Sequence, residues 1–182
     1  MLTDQQLAAL KADIISQIDP TLVGYRAAGA TGQIADWYNQ NLSSFVVWQT
    51  AVDINVIFDN IVWANLTPVD SPDGTATWTN RSLCCQGKQF NIQTILAGRG
   101  SINSAKANIR AGLQDALTAI PSGSGGASQN AGWTSVRSAM QRFATNGEKI
   151  FATGTGTAVT PGFLVVEGIL SYEDVTTAFY LP

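Results

Sequence analysis

Apolar residues recur every three or four positions through much of this chain, and that period predicts a mainly helical fold. Leu7, Leu10, Ile14 and Ile18 make the first stripe. It is opened by the capping box Thr3-x-x-Gln6, with Leu2 as a staple, and closed before Pro20. Residues 22–32, with Gly24, Gly29 and Gly32, read as a loop. A second helix is expected over about 31–42, with Ile34, Trp37 and Tyr38 inward. Phe45-Val46-Val47-Trp48 fits either a short strand or an extended link. Residues 53–63, with Ile54, Ile57, Phe58, Ile61 and Val62, again have helical spacing, and the turn formers of 68–74 then break the chain.

Two longer helices follow. One is expected over about 77–97, ending at Gly98, with Leu83, Phe90 and Ile95 turned inward. The other is expected over 101–120, with Ser101 as N-cap and Ala105, Ile109, Leu113, Ala116, Leu117 and Ile120 in its stripe. The short Gly-Arg-Gly connection between them predicts an antiparallel pair at the centre of a helical bundle. A flexible loop covers 122–128. Trp133, Val136, Met140 and Phe143 mark a helix over about 130–145. Residues 152–158 are Gly/Thr-rich and extended, Phe163-Leu164-Val165-Val166 fits a strand, and Ser171 caps a last helix from Tyr172 to Tyr180. The expectation is one domain over 1–182, with a few short strands and with loops or arms at 20–33, 121–130 and 152–170.

Composition changes the picture at the surface. Hydrophobic residues make up 45% of the 182 positions and charged residues 13%, against roughly 25% charged in an average domain. The polar surface must therefore come from Asn, Gln, Ser and Thr, which suits lasting contact with other subunits. The net charge of −3 is unevenly spread. Residues 1–75 hold eight acids and two bases, 76–147 one acid and seven bases, and 148–182 four acids and one base. If that separation survives folding, copies could stack head to tail or turn a basic surface toward DNA. Solvated helix faces would produce the same count. The start of the chain reads as a helix rather than a targeting signal, and no stretch is apolar enough to span a membrane.

The chain has no histidine, which removes the commonest general base and metal ligand together. Cys84 and Cys85 are adjacent, so free thiols on a helix are expected rather than a disulfide or a zinc site. The glycines at 123–126 and Gly154-Thr155-Gly156 lack the Lys-Ser or Lys-Thr of a phosphate loop. What remains for catalysis is carboxylate, lysine or tyrosine chemistry; of the C-terminal acids Glu148, Glu167, Glu173 and Asp174, two could make a glycosidase-like pair, with Glu148 or Glu167 as a member. No catalytic, cofactor-binding or metal-ligating residue is expected. Arg99, Lys106 and Arg110 form a small basic cluster on or just before one helix face, suited to weak contact with passing DNA.

Several strings resemble a protein family of tailed bacteriophages and proteobacterial prophages. They are Cys85-Gln86-Gly87-Lys88-Gln89-Phe90-Asn91, Ala107-Asn108-Ile109-Arg110-Ala111-Gly112-Leu113-Gln114-Asp115-Ala116-Leu117, Gly147-Glu148-Lys149-Ile150-Phe151-Ala152-Thr153-Gly154-Thr155-Gly156 and Glu167-Gly168-Ile169-Leu170-Ser171-Tyr172. In the first half Val47-Trp48 and Trp63-Ala64-Asn65-Leu66-Thr67-Pro68 extend the likeness over nearly the whole chain. Length, helical hairpin and weak charge are similar to head-to-tail adaptors of the phage neck. The resemblance implies a non-catalytic virion protein, assembled in the host cytoplasm as a ring of like copies. Its expected partners are the portal protein, a downstream tail or nozzle protein and, non-specifically, double-stranded DNA. The alternatives are another neck, tail-completion or capsid decoration protein and, from a different class, a cell-wall glycan hydrolase. The adaptor family carries no shared catalytic or ligand signature to transfer.

Overall fold

The computed structural model describes residues 1–68 and 76–182. The turn expected at 68–74 lies, except for Pro68, outside the described residues. The chain forms mainly helices with a few short strands. Read from sequence as one domain, it groups into two compact units: Met1–Val47 with Arg142–Pro182, and Trp48–Gln141.

The first unit begins with α1 (Asp4–Ser16), whose Thr3/Gln6 capping box forms as expected. Leu7, Leu10 and Ile14 are buried, whereas Ile18 lies beyond the helix and is exposed. The loop expected at 22–32 is a correction: α2 (Pro20–Ala27) occupies most of it. Pro20 follows the end of α1 at Ser16, as expected, and also opens this helix. Its missing N–H is no loss in a first turn, and Asp19 caps the N–H groups of Thr21 and Leu22. Next, α3 (Thr31–Tyr38) buries Ile34, Ala35 and Tyr38. The 45–48 run belongs to strand β1 (Asn41–Trp48).

The helix expected at 130–145 is also shorter than its pattern. It divides into α8 (Trp133–Ala139), in the second unit, and strand β4 (Gln141–Thr145), which pairs with β1. α9 (Asn146–Phe151) starts at a second capping box, Thr145 with Glu148. α10 (Tyr172–Phe179) starts at a third, Ser171 with Asp174. Residues 163–166 form no named strand; Phe163 makes an isolated bridge to Thr153. Part of the stretch expected as an arm at 152–170 lies along β1. Val46 N–H donates to Gly156 O at 2.7 Å and Gly162 N–H to Val46 O at 2.8 Å. Gly156, at φ +65°, sits where a Cβ would come within 2.2 Å of the Phe45 ring, so this approach requires glycine. Leu7, Leu10, Ile14, Leu22, Ile34, Tyr38, Phe151, Leu170, Val175 and Ala178 form this unit's core.

In the second unit α4 (Ile54–Asp59) and α5 (Trp63–Leu66) replace the single helix expected over 53–63, with Asp53 capping α4. α6 (Ala76–Leu96) matches its expected span closely. Its orientation is a correction. Leu83 and Phe90 are 62% and 68% exposed, while Arg81, Cys85, Ile92 and Leu96 face the core. Ser101 is not a helix cap. Ser101–Ile102 forms β3, antiparallel to β2 (Val52–Asp53), and α7 (Ala107–Leu117) begins six residues later. An extended residue at 101 answers a strand partner at Asp53, and that tertiary pairing overrides the local capping preference. α6 packs on α7 with Ile95 beside Gly112 and Lys88 Nζ on Asp115 O.

Candidate functional site

The three basic residues singled out from sequence separate by role. Arg99, in the turn after α6, and Lys106, the residue before α7, are exposed. Arg110, one turn into α7, is half-buried and engaged. Its Nη1 donates to Ser104 O at 2.6 Å and Ala105 O at 2.7 Å, and its guanidinium lies 4.5 Å from the centre of the Trp48 ring. Arg137, in the last turn of α8, approaches the same ring at 5.6 Å. Two cations on one indole are attracted by its π face and repel each other. Burial and the Arg137 charge both lower the Arg110 pKa, though a guanidinium so placed stays protonated.

Polar groups hold Trp48 in place for this stack. Ser104 Oγ lies 2.6 Å from Gln49 O and 2.9 Å from Met140 O. Gln49 Nε2 donates to the carbonyls of Ala139 and Gln141. Arg110 thus does structural work on the half-buried side of α7, and Arg99 and Lys106 remain the water-facing members of the cluster.

Two carboxylates suspected of acid/base chemistry do meet, on Arg142. Glu148 is 3% exposed and accepts both Arg142 guanidinium nitrogens at 2.6 and 2.7 Å. It also accepts the Thr145 N–H at 3.0 Å and the Gly168 N–H at 3.0 Å. Glu167 reaches the same Arg142 Nη2 at 3.2 Å from a more exposed position. Burial alone would raise the Glu148 pKa. Arg142 and the two backbone N–H groups outweigh it and hold the carboxyl below its ordinary value. With both oxygens bonded, on two sides, this carboxylate anchors Arg142 and the backbone at Thr145 and Gly168. The sequence signal for it was the Thr145-x-x-Glu148 capping box.

A groove in the first unit is lined by Asp13, Asp19, Trp37, Leu42, Asn146 and Lys149, among others. Its polar groups are largely committed to the fold. Asp13 accepts from Tyr38 Oη at 2.7 Å and from Gln17 Nε2, Asp19 caps α2, and Asn146 Nδ2 donates to Trp37 O. Burial, then the Asp13 carboxylate, pushes the Tyr38 hydroxyl far up. Cys84 and Cys85 are free thiols; burial raises the pKa of Cys85. Among the described residues no group of three or more His, Cys, Asp or Glu side chains could hold a metal ion, and no helix is long and apolar enough to cross a membrane. No family model, curated protein or solved structure matches this chain.

Proposed function

We propose that this chain is a non-catalytic virion structural protein of a tailed bacteriophage, binding the portal as one subunit of a head-to-tail adaptor ring. The observation that carries the reading is a display of exposed apolar side chains. Val159, Val165 and Ile169 are 76%, 67% and 81% exposed in the 152–170 stretch, on a chain with only 13% charged residues. Such residues gain most from burial against a neighbouring subunit. The family resemblance of the sequence points to the same setting.

In this reading the α6–α7 pair is the antiparallel centre of each subunit, a view supported by the Ile95–Gly112 and Lys88–Asp115 pairings. Residues 152–170 meet the next copy and the portal, and a tail or nozzle protein docks below. Arg99 and Lys106 are the residues that would face DNA in the channel, with weak and non-specific contact. A glycan hydrolase is disfavoured by the commitment of both Glu148 oxygens to Arg142, Thr145 and Gly168.

The test is native mass spectrometry of the purified chain mixed with the phage's portal ring. The reading expects saturating uptake of many copies, and Val165→Asp with Ile169→Asp should abolish that uptake. A chain that ignores the portal but binds capsid or tail tube would move the role to decoration or tail completion. Loss of wall clearing in Glu148→Gln or Glu167→Gln, with the fold intact, would reinstate the enzyme.

A further inference from the structure

The outer face of α6 carries an arrangement that nothing among the described residues explains. Leu83, Gly87 and Phe90 fall within a sector of about 60° on the helix, opposite the core stripe of Arg81, Cys85, Ile92 and Leu96. Leu83 and Phe90 are large, apolar and exposed. Between them Gly87 weakens the helix, since glycine is worse than alanine by roughly 1 kcal/mol in a helix interior. Its usual structural excuses are absent: φ is not positive, and a Cβ there would meet nothing within 4 Å. The cost brings no return within the monomer. A glycine between two exposed apolar residues does, however, let a second helix cross at close range.

Charge decides what that helix is. Among the described side chains of α6 the exposed positions are Thr77, Thr79, Asn80, Leu83, Gln86, Gly87, Phe90, Asn91, Gln93 and Thr94, and none is charged. Both cations of α6 are turned away: Arg81 donates to Thr67 O and Asn65 O, and Lys88 to Asp115 O. A charged partner would find nothing to pair with here. A second copy of the same face brings no like charges together and buries none unpaired.

We propose that this face pairs with α6 of a second copy, in an antiparallel two-fold crossing centred between Gln86 and Gly87. Leu83 of each copy then packs on Phe90 of the other, and the two glycines admit the close approach. A two-fold contact uses one patch twice and closes at two copies. It therefore does not build a ring, and it holds or fails independently of the portal reading.

The experiment is sedimentation velocity of the full chain over rising concentration, with no portal present. A concentration-dependent dimer is expected. Leu83→Glu alone and Phe90→Lys alone should each weaken it by tenfold or more, on the order of a lost hot spot. The double variant Leu83→Glu with Phe90→Lys should dimerise more tightly than either single variant, because only the antiparallel register sets each glutamate opposite a lysine. Gly87→Ala should raise the unfolding temperature of the dilute monomer while weakening the dimer. A chain that stays monomeric at every concentration, singles that dimerise normally, or a double variant no tighter than either single would each overturn the proposal. So would a Gly87→Ala dimer as tight as the original. Portal uptake by the monomeric Leu83→Glu variant reports on the adaptor reading separately.

Discussion

Replacing one oxygen of Glu148 by an amide tests what that side chain does. Glu148→Gln keeps its shape but leaves the Arg142 guanidinium with the more exposed Glu167 as its carboxylate partner. Removing one member of a well-buried pair is costly, and Arg142 is partly exposed, so a loss of about 2 kcal/mol is expected. Glu167→Gln should cost less than about 0.5 kcal/mol, as surface pairs do. Urea unfolding of the two variants checks this, and equal losses would mean that Glu148 is no more an anchor than Glu167. The same carboxyl gives a pH dependence. Its folded pKa lies below its ordinary value of 4.5. Its stabilisation is therefore complete above that value and is lost as pH falls through the folded one. A stability profile between pH 6 and 2 should be flatter at its acid end in Glu148→Gln than in the parent.

At the scale of elements, α6 separates pattern from burial. Ile92→Ala should cost about 3 kcal/mol through its cavity, whereas Leu83→Gln should change monomer stability by less than about 0.5 kcal/mol. The comparison belongs at concentrations where the chain is monomeric, and thermal unfolding reads it. At the start of α8, Gly132 has φ +88°, and a Cβ there would lie 2.4 Å from Asn60 O. Gly132→Ala should cost more than about 2 kcal/mol, in contrast to a gain at Gly87. These elements also show what a sequence reveals. α1, α6 and α10 were legible because caps and spacing are local signals. α2 was not, since Pro20 serves equally well to stop a helix and to start one. On α6 the apolar Leu83 and Phe90 point outward and mislead, whereas Ile95 packs on the core as expected, and the core stripe includes Arg81 bonded to carbonyls of another segment. The three basic residues share no helix face: Arg99 lies in the turn after α6, Lys106 precedes α7 and only Arg110 sits on it. Their division between a stacked Arg110 and water-facing Arg99 and Lys106 depends on Trp48, which only the tertiary fold brings near.

For the whole molecule, the charge separation along the sequence survives only in part. Trp48–Gln141 gathers the basic stretch almost entire, but it also includes Asp53, Asp59, Asp70 and Asp73. That leaves six bases against five acids, while the other unit holds four bases against eight acids. One unit is thus close to neutral and the other clearly acidic. Each also has its own core, so core truncations should act locally. Leu113→Ala should lower amide exchange protection most within 48–141, and Ile34→Ala most in the other unit. Uniform loss across the chain in both variants would instead mark a single cooperative block.

The unit made from both ends of the chain has a consequence during synthesis. Residues 48–141 are complete and free to fold while 142–182 is still being added. The helices of residues 1–47 must wait, because Phe151, Leu170, Val175 and Ala178 of their core come last. At the 5–20 residues per second typical of bacterial translation, that interval is roughly a few seconds, during which Leu7, Leu10, Ile14 and Ile34 lack their eventual cover. A message truncated before Arg142 would therefore release a chain with an intact middle and a sticky beginning, a natural client for holding chaperones.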